Sequence, residues 1–222
     1  MSRVPGRMML HALTRVPVAA CLGHVTRAYS RIRDLTVSQN AQEAIASYVT
    51  DMLALEEHMQ KAFAGQAADA KGERFASLIR DLNGISERHL VALRDLAERR
   101  KQGGQGIAEA IKGAASSVLG LGAAAIDFVR SEKLPKNLRD DYTAVSLATV
   151  GYLMLHTTAE ALNDAEASEL ALAHLRDYAK AVMTLFHAVP EAVVTFLGDE
   201  GFTVDGAVAK KVNKTVEKIW YE

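Results

Sequence analysis

Four residues carry the chemistry this chain could perform: Glu56, His89, His156 and Glu160. At about 100° per residue, Glu56 falls roughly 40° from the centre of an apolar helical face made by Ile45, Val49, Met52, Met59 and Phe63. His89 falls roughly 20° from the centre of the next such face, between Ile85 and Leu93. His156 and Glu160 share a side at i, i+4 spacing. Two carboxylates and two imidazoles supply oxygen and nitrogen donors, a set that could hold a single transition metal. The same groups could instead satisfy one another as a buried hydrogen-bonded cluster. Spacing leaves both readings open. Glu57, His58 and Glu87 project away from these faces, which predicts solvated positions. His174 lies at the edge of a fourth face, with Asp177 and His187 further out.

Other chemistries fail on spacing. Ser86 has His89 one turn away but no third group at a recognisable distance, so a hydrolytic triad is unsupported. No phosphate-loop motif, dinucleotide-binding glycine pattern or EF-hand occurs, and Asp199 and Asp205 lack calcium-loop spacing. The lone cysteine, Cys21, excludes an intramolecular disulfide framework and a Cys-based zinc site.

The elements that must position these residues are helices. Amphipathic patterns predict four, over about 38–64, 72–100, 136–163 and 165–197. Thr36 or Ser38 could cap the first, Asn163 followed by Glu166 could cap the fourth, and Pro135 suits the first turn of the third. The second face reads Phe75, Leu78, Ile79, Leu82, Ile85, Leu93, Leu96, and the fourth reads Leu175, Tyr178, Val182, Leu185, Phe186, Val189, Val193, Phe196. The third helix is apolar nearly all round and carries no formal charge from Tyr142 to Ala159, which predicts the most enclosed helix. Its threonines, Ser146 and His156 favour a bundle interior over a membrane span.

Short loops join the first pair and the last pair, so each is an antiparallel hairpin. The link over 101–135 opens with Gly103-Gly104-Gln105-Gly106 and includes a weaker helix over about 107–131. It is long enough to travel the length of a 28-residue helix, about 42 Å. The expected fold is therefore all-α: an antiparallel four-helix bundle of two hairpins joined by a long crossover with an extra helix. Residues 201–222 are expected to form a loop and a short basic amphipathic helix around Val208, Val212, Val216, Ile219 and Trp220.

The 222 residues carry a formal charge of −1, with 49% hydrophobic and 24% charged side chains, which excludes wholesale disorder. That average conceals six arginines and no acidic residue in residues 1–33, against a net −7 in the remainder. Residues 1–36 read as a basic, flexible arm: a targeting segment or the product of an upstream start. Cytoplasmic residence follows from the second, organellar import from the first. No nucleic-acid partner is expected.

Helix lengths, the long crossover and the inward Glu56 and His89 resemble the ferritin-like superfamily over residues 38–197, at its stress-associated, less characterised end. The di-iron members of that family use one Glu from each of two helices and Glu-x-x-His from each of the other two. On that pattern Glu56 is the ligand of the first helix. Ser86 stands where the second helix needs a carboxylate three residues before His89. His156 and Glu160 could replace the Glu of the third. Leu175 and Tyr178 occupy the inward pair of the fourth. The resemblance thus implies an incomplete di-iron set. Three functions follow as expectations: a structural or stress-associated homo-oligomeric bundle; a metal-dependent oxidase or peroxidase holding iron or manganese at Glu56, His89, His156 and Glu160; or a module docking on a membrane or protein through the arm or residues 204–222.

Overall fold

The computed structural model describes residues 18–69, 72–102 and 133–221. The expected crossover helix over about 107–131 and the first 17 residues lie outside them. The described residues form five α-helices and no strand: α1 (Val18–Asp69), α2 (Glu73–Gln102), α3 (Lys133–Ala161), α4 (Ala165–Asp199) and α5 (Val208–Tyr221). The chain divides into two units, Met1–Asn40 and Ala41–Glu222. In the first, the described backbone is helical from Val18. Thr36 and Ser38 are therefore interior to a helix and cap nothing. No glycine or proline interrupts the chain from Glu43 to Ala64, and the single Gly65 beyond it is tolerated within α1, which runs on to Asp69.

The second unit is built on one apolar core. It takes Ile45, Val49, Met52, Met59 and Phe63 from α1, and Phe75, Ile79, Leu82, Leu93 and Leu96 from α2. Val145, Ala148, Tyr152 and Leu155 come from α3, and Ala171, Tyr178, Ala181, Leu185 and Ala192 from α4. Full burial of a Leu-sized side chain contributes about 1.5–3 kcal/mol, so this shared core holds the four helices together. The small residues lining α3 and α4 bring those two helices close.

Cross-helix pairs give the directions. His156 meets Ser168, Tyr152 meets His174 and Tyr142 meets Phe186, so α3 and α4 are antiparallel. Arg100 reaches Asp164 while Arg74 reaches Glu191, so α2 and α4 are antiparallel. Gln66 bonds Asp141 while Glu56 accepts from Tyr152, so α1 opposes α3. Because α1 opposes α3 while α2 and α3 both oppose α4, α1 also opposes α2, and Glu56 meets Ser86 and His89 across that pair. It follows that α2 and α3 run parallel. The end of α2 and the start of α3 lie at opposite ends of the bundle, and residues 103–132 connect them.

The α3–α4 turn is set one residue from its expected position. Asn163 adopts φ 57°, and the bonds Asn163 N–H to Glu160 O (3.2 Å) and Asp164 N–H to Ala159 O (2.8 Å) close α3. Asp164, not Asn163, caps α4 by accepting from the Ala167 N–H at 3.0 Å. Gly201, at φ 86°, ends α4 in the same way. Pro135 sits in the first turn of α3 as expected, where no intrahelical acceptor is lost. Gly151 permits the approach of α1: a Cβ there would lie 2.5 Å from Met52 Sδ.

The expectation that α3 is the most enclosed helix is overturned. Leu147, Val150, Leu153 and Met154 are 57, 52, 49 and 45% exposed. An uncharged surface shows that a helix avoids charge, not that every side of it is covered. The tail helix α5 buries Ala209 and anchors to α4 through Asn213 Nδ2–H donating to His187 O at 2.9 Å.

Candidate functional site

Glu56 is 0% exposed and lies at mid-bundle on α1. Oε1 accepts from His89 Nδ1–H at 2.9 Å and from the Tyr152 hydroxyl at 2.7 Å. Oε2 accepts from the Ser86 hydroxyl at 2.7 Å and from the Tyr178 hydroxyl at 2.5 Å. Ser86 Oγ also lies 3.1 Å from the Glu56 main-chain oxygen. A carboxylate offers about four acceptor positions. Here four donors, from α2, α3 and α4, occupy them. A buried charge is costly unless it is paired and hydrogen-bonded, and this arrangement meets that condition.

The geometry also fixes the protons. Burial, then the adjacent Glu56 charge, pushes both tyrosine hydroxyls well above the usual phenol range. Tyr152 and Tyr178 therefore remain donors at any physiological pH. The His89 ring stacks on His174 with centroids 3.8 Å apart and planes 13° apart. His89 Nε2 faces Asp177 Oδ2 at 3.4 Å. Burial, with His89 and Arg88 nearby, lowers His174 to about 3, so that ring is neutral. Its Nδ1 is buried and unpartnered.

Of the four residues singled out by spacing, Glu56 and His89 meet directly. His156 and Glu160 meet elsewhere, around Ser168 at the start of α4. The Ser168 hydroxyl bonds the Glu160 carboxylate, and it lies 3.0 Å from His156 Nδ1. His156 is half-buried and Glu160 exposed, which makes this second group a surface-edge clasp between α3 and α4. Among the described residues, no three His, Cys, Asp or Glu side chains gather as a metal ion needs.

Ser86, Tyr152, Tyr178 and His174 also belong to the cluster, though spacing alone does not single them out. Ser86 and both tyrosines had inward positions but counted as a missing ligand or as core. A buried tyrosine hydroxyl normally finds a partner, and that rule was the available signal. His174 is 7% exposed, not marginal as the face projection suggested, because its partner ring belongs to α2.

Two surface grooves, of about 450 and 540 Å³, include none of these groups. One lies between α2 and α4, lined by Arg74, Asp81, Thr184 and His187; the other between α1 and α2, lined by Glu57, Lys61, Glu87 and Arg94. The polar cluster is thus built as interior, with its hydrogen-bonding capacity turned inward.

No protein-family model and no curated protein matches the chain. A crystal structure of a protein from Xanthomonas campestris pv. campestris is similar, with a TM-score of 0.55 at 14% identity. The similarity covers 73% of this chain and 99% of that one. At that identity the likeness concerns the fold alone: an all-α helical architecture.

Proposed function

We infer that the chain is a ferritin-like bundle with a structural or stress-associated role and no redox turnover, its central carboxylate acting as a hydrogen-bond acceptor rather than a metal ligand. The observation that carries this reading is the saturation of Glu56 by Ser86, His89, Tyr152 and Tyr178. A metal would have to displace these donors, and two of them are phenols that burial keeps protonated. The antiparallel hairpins and the parallel α2 and α3 support the ferritin-like assignment, because that bundle has one long crossover.

The test is elemental analysis of the purified protein, followed by anaerobic loading with Fe(II) or Mn(II). The expected result is substoichiometric metal and an unchanged melting temperature. Uptake of about two irons per chain, the content of a di-iron site, overturns the reading.

One observation favours the metal-dependent oxidase as a second reading: His174 Nδ1 is buried, unpartnered and neutral, the form in which imidazole ligates. On that reading, His174→Ala abolishes the uptake of iron or manganese.

A further inference from the structure

Helix α5 has three unlike sides. At about 100° per residue, Ala209, Asn213 and Val216 share one of them. Ala209 is buried, Val216 is half-buried, and Asn213 bonds the His187 carbonyl, so this side is turned to the bundle. Val208, Val212 and Ile219 fall within about 40° of one another on the next side. All three are exposed, Ile219 by 67%. Further round, past Thr215, come Lys211, Lys218, Lys214 and Lys210, which are exposed as well. Among the described residues, none of these lysines forms an ion pair.

We propose that α5 docks the chain on an anionic lipid surface. Val208, Val212 and Ile219 enter the boundary between headgroups and acyl chains, and Lys211 and Lys218 pair with the headgroups.

The first support is the order of the sides. A helix lying in a membrane interface carries an apolar stripe bordered by Lys or Arg. Lys211 and Lys218 lie about 80° and 100° from the centre of the stripe, so their long stems reach headgroup level while the stripe is immersed. The bundle side lies about 90° from the stripe in the other direction, so α5 meets lipid without leaving α4.

The second is charge complementarity. Residues 34–207 hold sixteen basic against twenty-five acidic side chains. Within α5 the balance reverses, with four lysines against the single Glu217. An anionic surface therefore repels the bundle and attracts this helix, which fixes the orientation of approach.

The third is residue type. Protein–protein interfaces are enriched in Arg and depleted in Lys. All four cations of α5 are lysines, and no carboxylate of the described residues holds them in place. Untethered ammonium groups can follow a fluid layer of headgroups, whereas a protein partner presents fixed carboxylates. The stripe spans only about 17 Å, so binding is expected to be reversible and to need both the apolar and the electrostatic contribution.

Flotation of the full chain with vesicles tests this. Wild type is expected to float with vesicles of equal parts phosphatidylglycerol and phosphatidylcholine. It is expected to float at least about tenfold less with phosphatidylcholine alone, or when NaCl is raised to about 0.5 M. Ile219→Glu, and the double variant Lys211→Gln/Lys218→Gln, are each expected to lower partitioning at least about tenfold. Val91→Glu, at an exposed apolar position on α2, is expected to leave it unchanged. Unfolding curves of all three variants are expected to match wild type, because these side chains lie outside the core. A wild-type chain that floats with neither vesicle, or equally with both, overturns the proposal. So does flotation insensitive to both α5 variants, which assigns the binding to the arginines of residues 1–33. Retention on immobilised poly-glutamate that depends on Lys211 and Lys218, with no flotation, assigns the lysines to an acidic polypeptide and also overturns it.

Discussion

Glu56→Gln isolates the role of the buried carboxylate. The substitution keeps size and shape but replaces one oxygen with an NH2. With that NH2 on the side of His89 and Tyr152, two buried donors face a third. With it on the side of Ser86 and Tyr178, the serine can re-aim its hydrogen at the Glu56 main-chain oxygen, 3.1 Å away. The second orientation is cheaper, but Tyr178 still loses a charged acceptor and the remaining bonds lose their charge assistance. A stranded buried donor costs about 1–3 kcal/mol, and a hydrogen bond to a charged acceptor contributes about 1.5–3 kcal/mol. The net cost is about 2–4 kcal/mol, which in a chain of this size lowers Tm by roughly 4–16 °C. The assay is urea and thermal unfolding in the presence of EDTA, so that a lost metal cannot produce the effect. A Glu56→Gln protein within about 0.5 kcal/mol of wild type, the scatter of neutral substitutions, refutes the reasoning.

Asp141 offers a pH-dependent test. Burial, only partly offset by Gln66 and reinforced by Asp140, raises its carboxyl from 3.8 to about 7. The folded state therefore holds the proton more tightly, and stability present below the unfolded value is lost as pH rises through the folded one. Asp141→Asn keeps the acceptor for Gln66 and removes the charge. At pH 8 it is expected to be more stable than wild type, by up to about 4 kcal/mol at 1.36 kcal/mol per unit, with a flatter stability profile between pH 4 and 7 measured by urea titration. Asp164→Ala removes the α4 cap and the 2.8 Å partner of Arg100, whose side chain is 8% exposed. Arg100 keeps Glu166 at 3.7 Å, so the expected loss is about 2–3 kcal/mol by chemical unfolding. Burial pushes the Asp164 carboxyl up, but Arg100 and the Ala167 N–H outweigh it and hold it below the usual range. Its contribution is therefore expected to persist at neutral pH and fade on acidification through that lowered value.

The helices were legible because their apolar residues recur at the helical period. Glu56 and His89 were legible because they interrupt that pattern from inside. What period cannot show is which neighbour a face meets. Tyr152 and Tyr178 scored as core residues, and their hydroxyls became informative only once both converged on one carboxylate. His156 and Glu160 do share a side, but the start of α4 places Ser168 there, and Glu56 lies on another helix. The outer face of α3, with Leu147, Val150, Leu153 and Met154, reads as interior because sequence shows that a face is apolar without showing whether anything covers it. The turn at Asn163 moved by one residue because Asn suits both a cap and a left-handed helix end, and the competition was settled by Asp164 beside it.

The five-residue cluster around Glu56 also acts as a test of alignment between the two hairpins. One hairpin holds Glu56, Ser86 and His89; the other holds Tyr152 and Tyr178. Apolar surfaces tolerate sliding, because one leucine is much like the next. Sliding one hairpin by a single helical turn, about 5.4 Å, would carry both phenols out of reach and leave a charge in the dark with half its donors. Apolar burial pulls the hairpins together without dictating where they stop. The carboxylate dictates it, and thereby rejects the shifted arrangements that the core alone would accept.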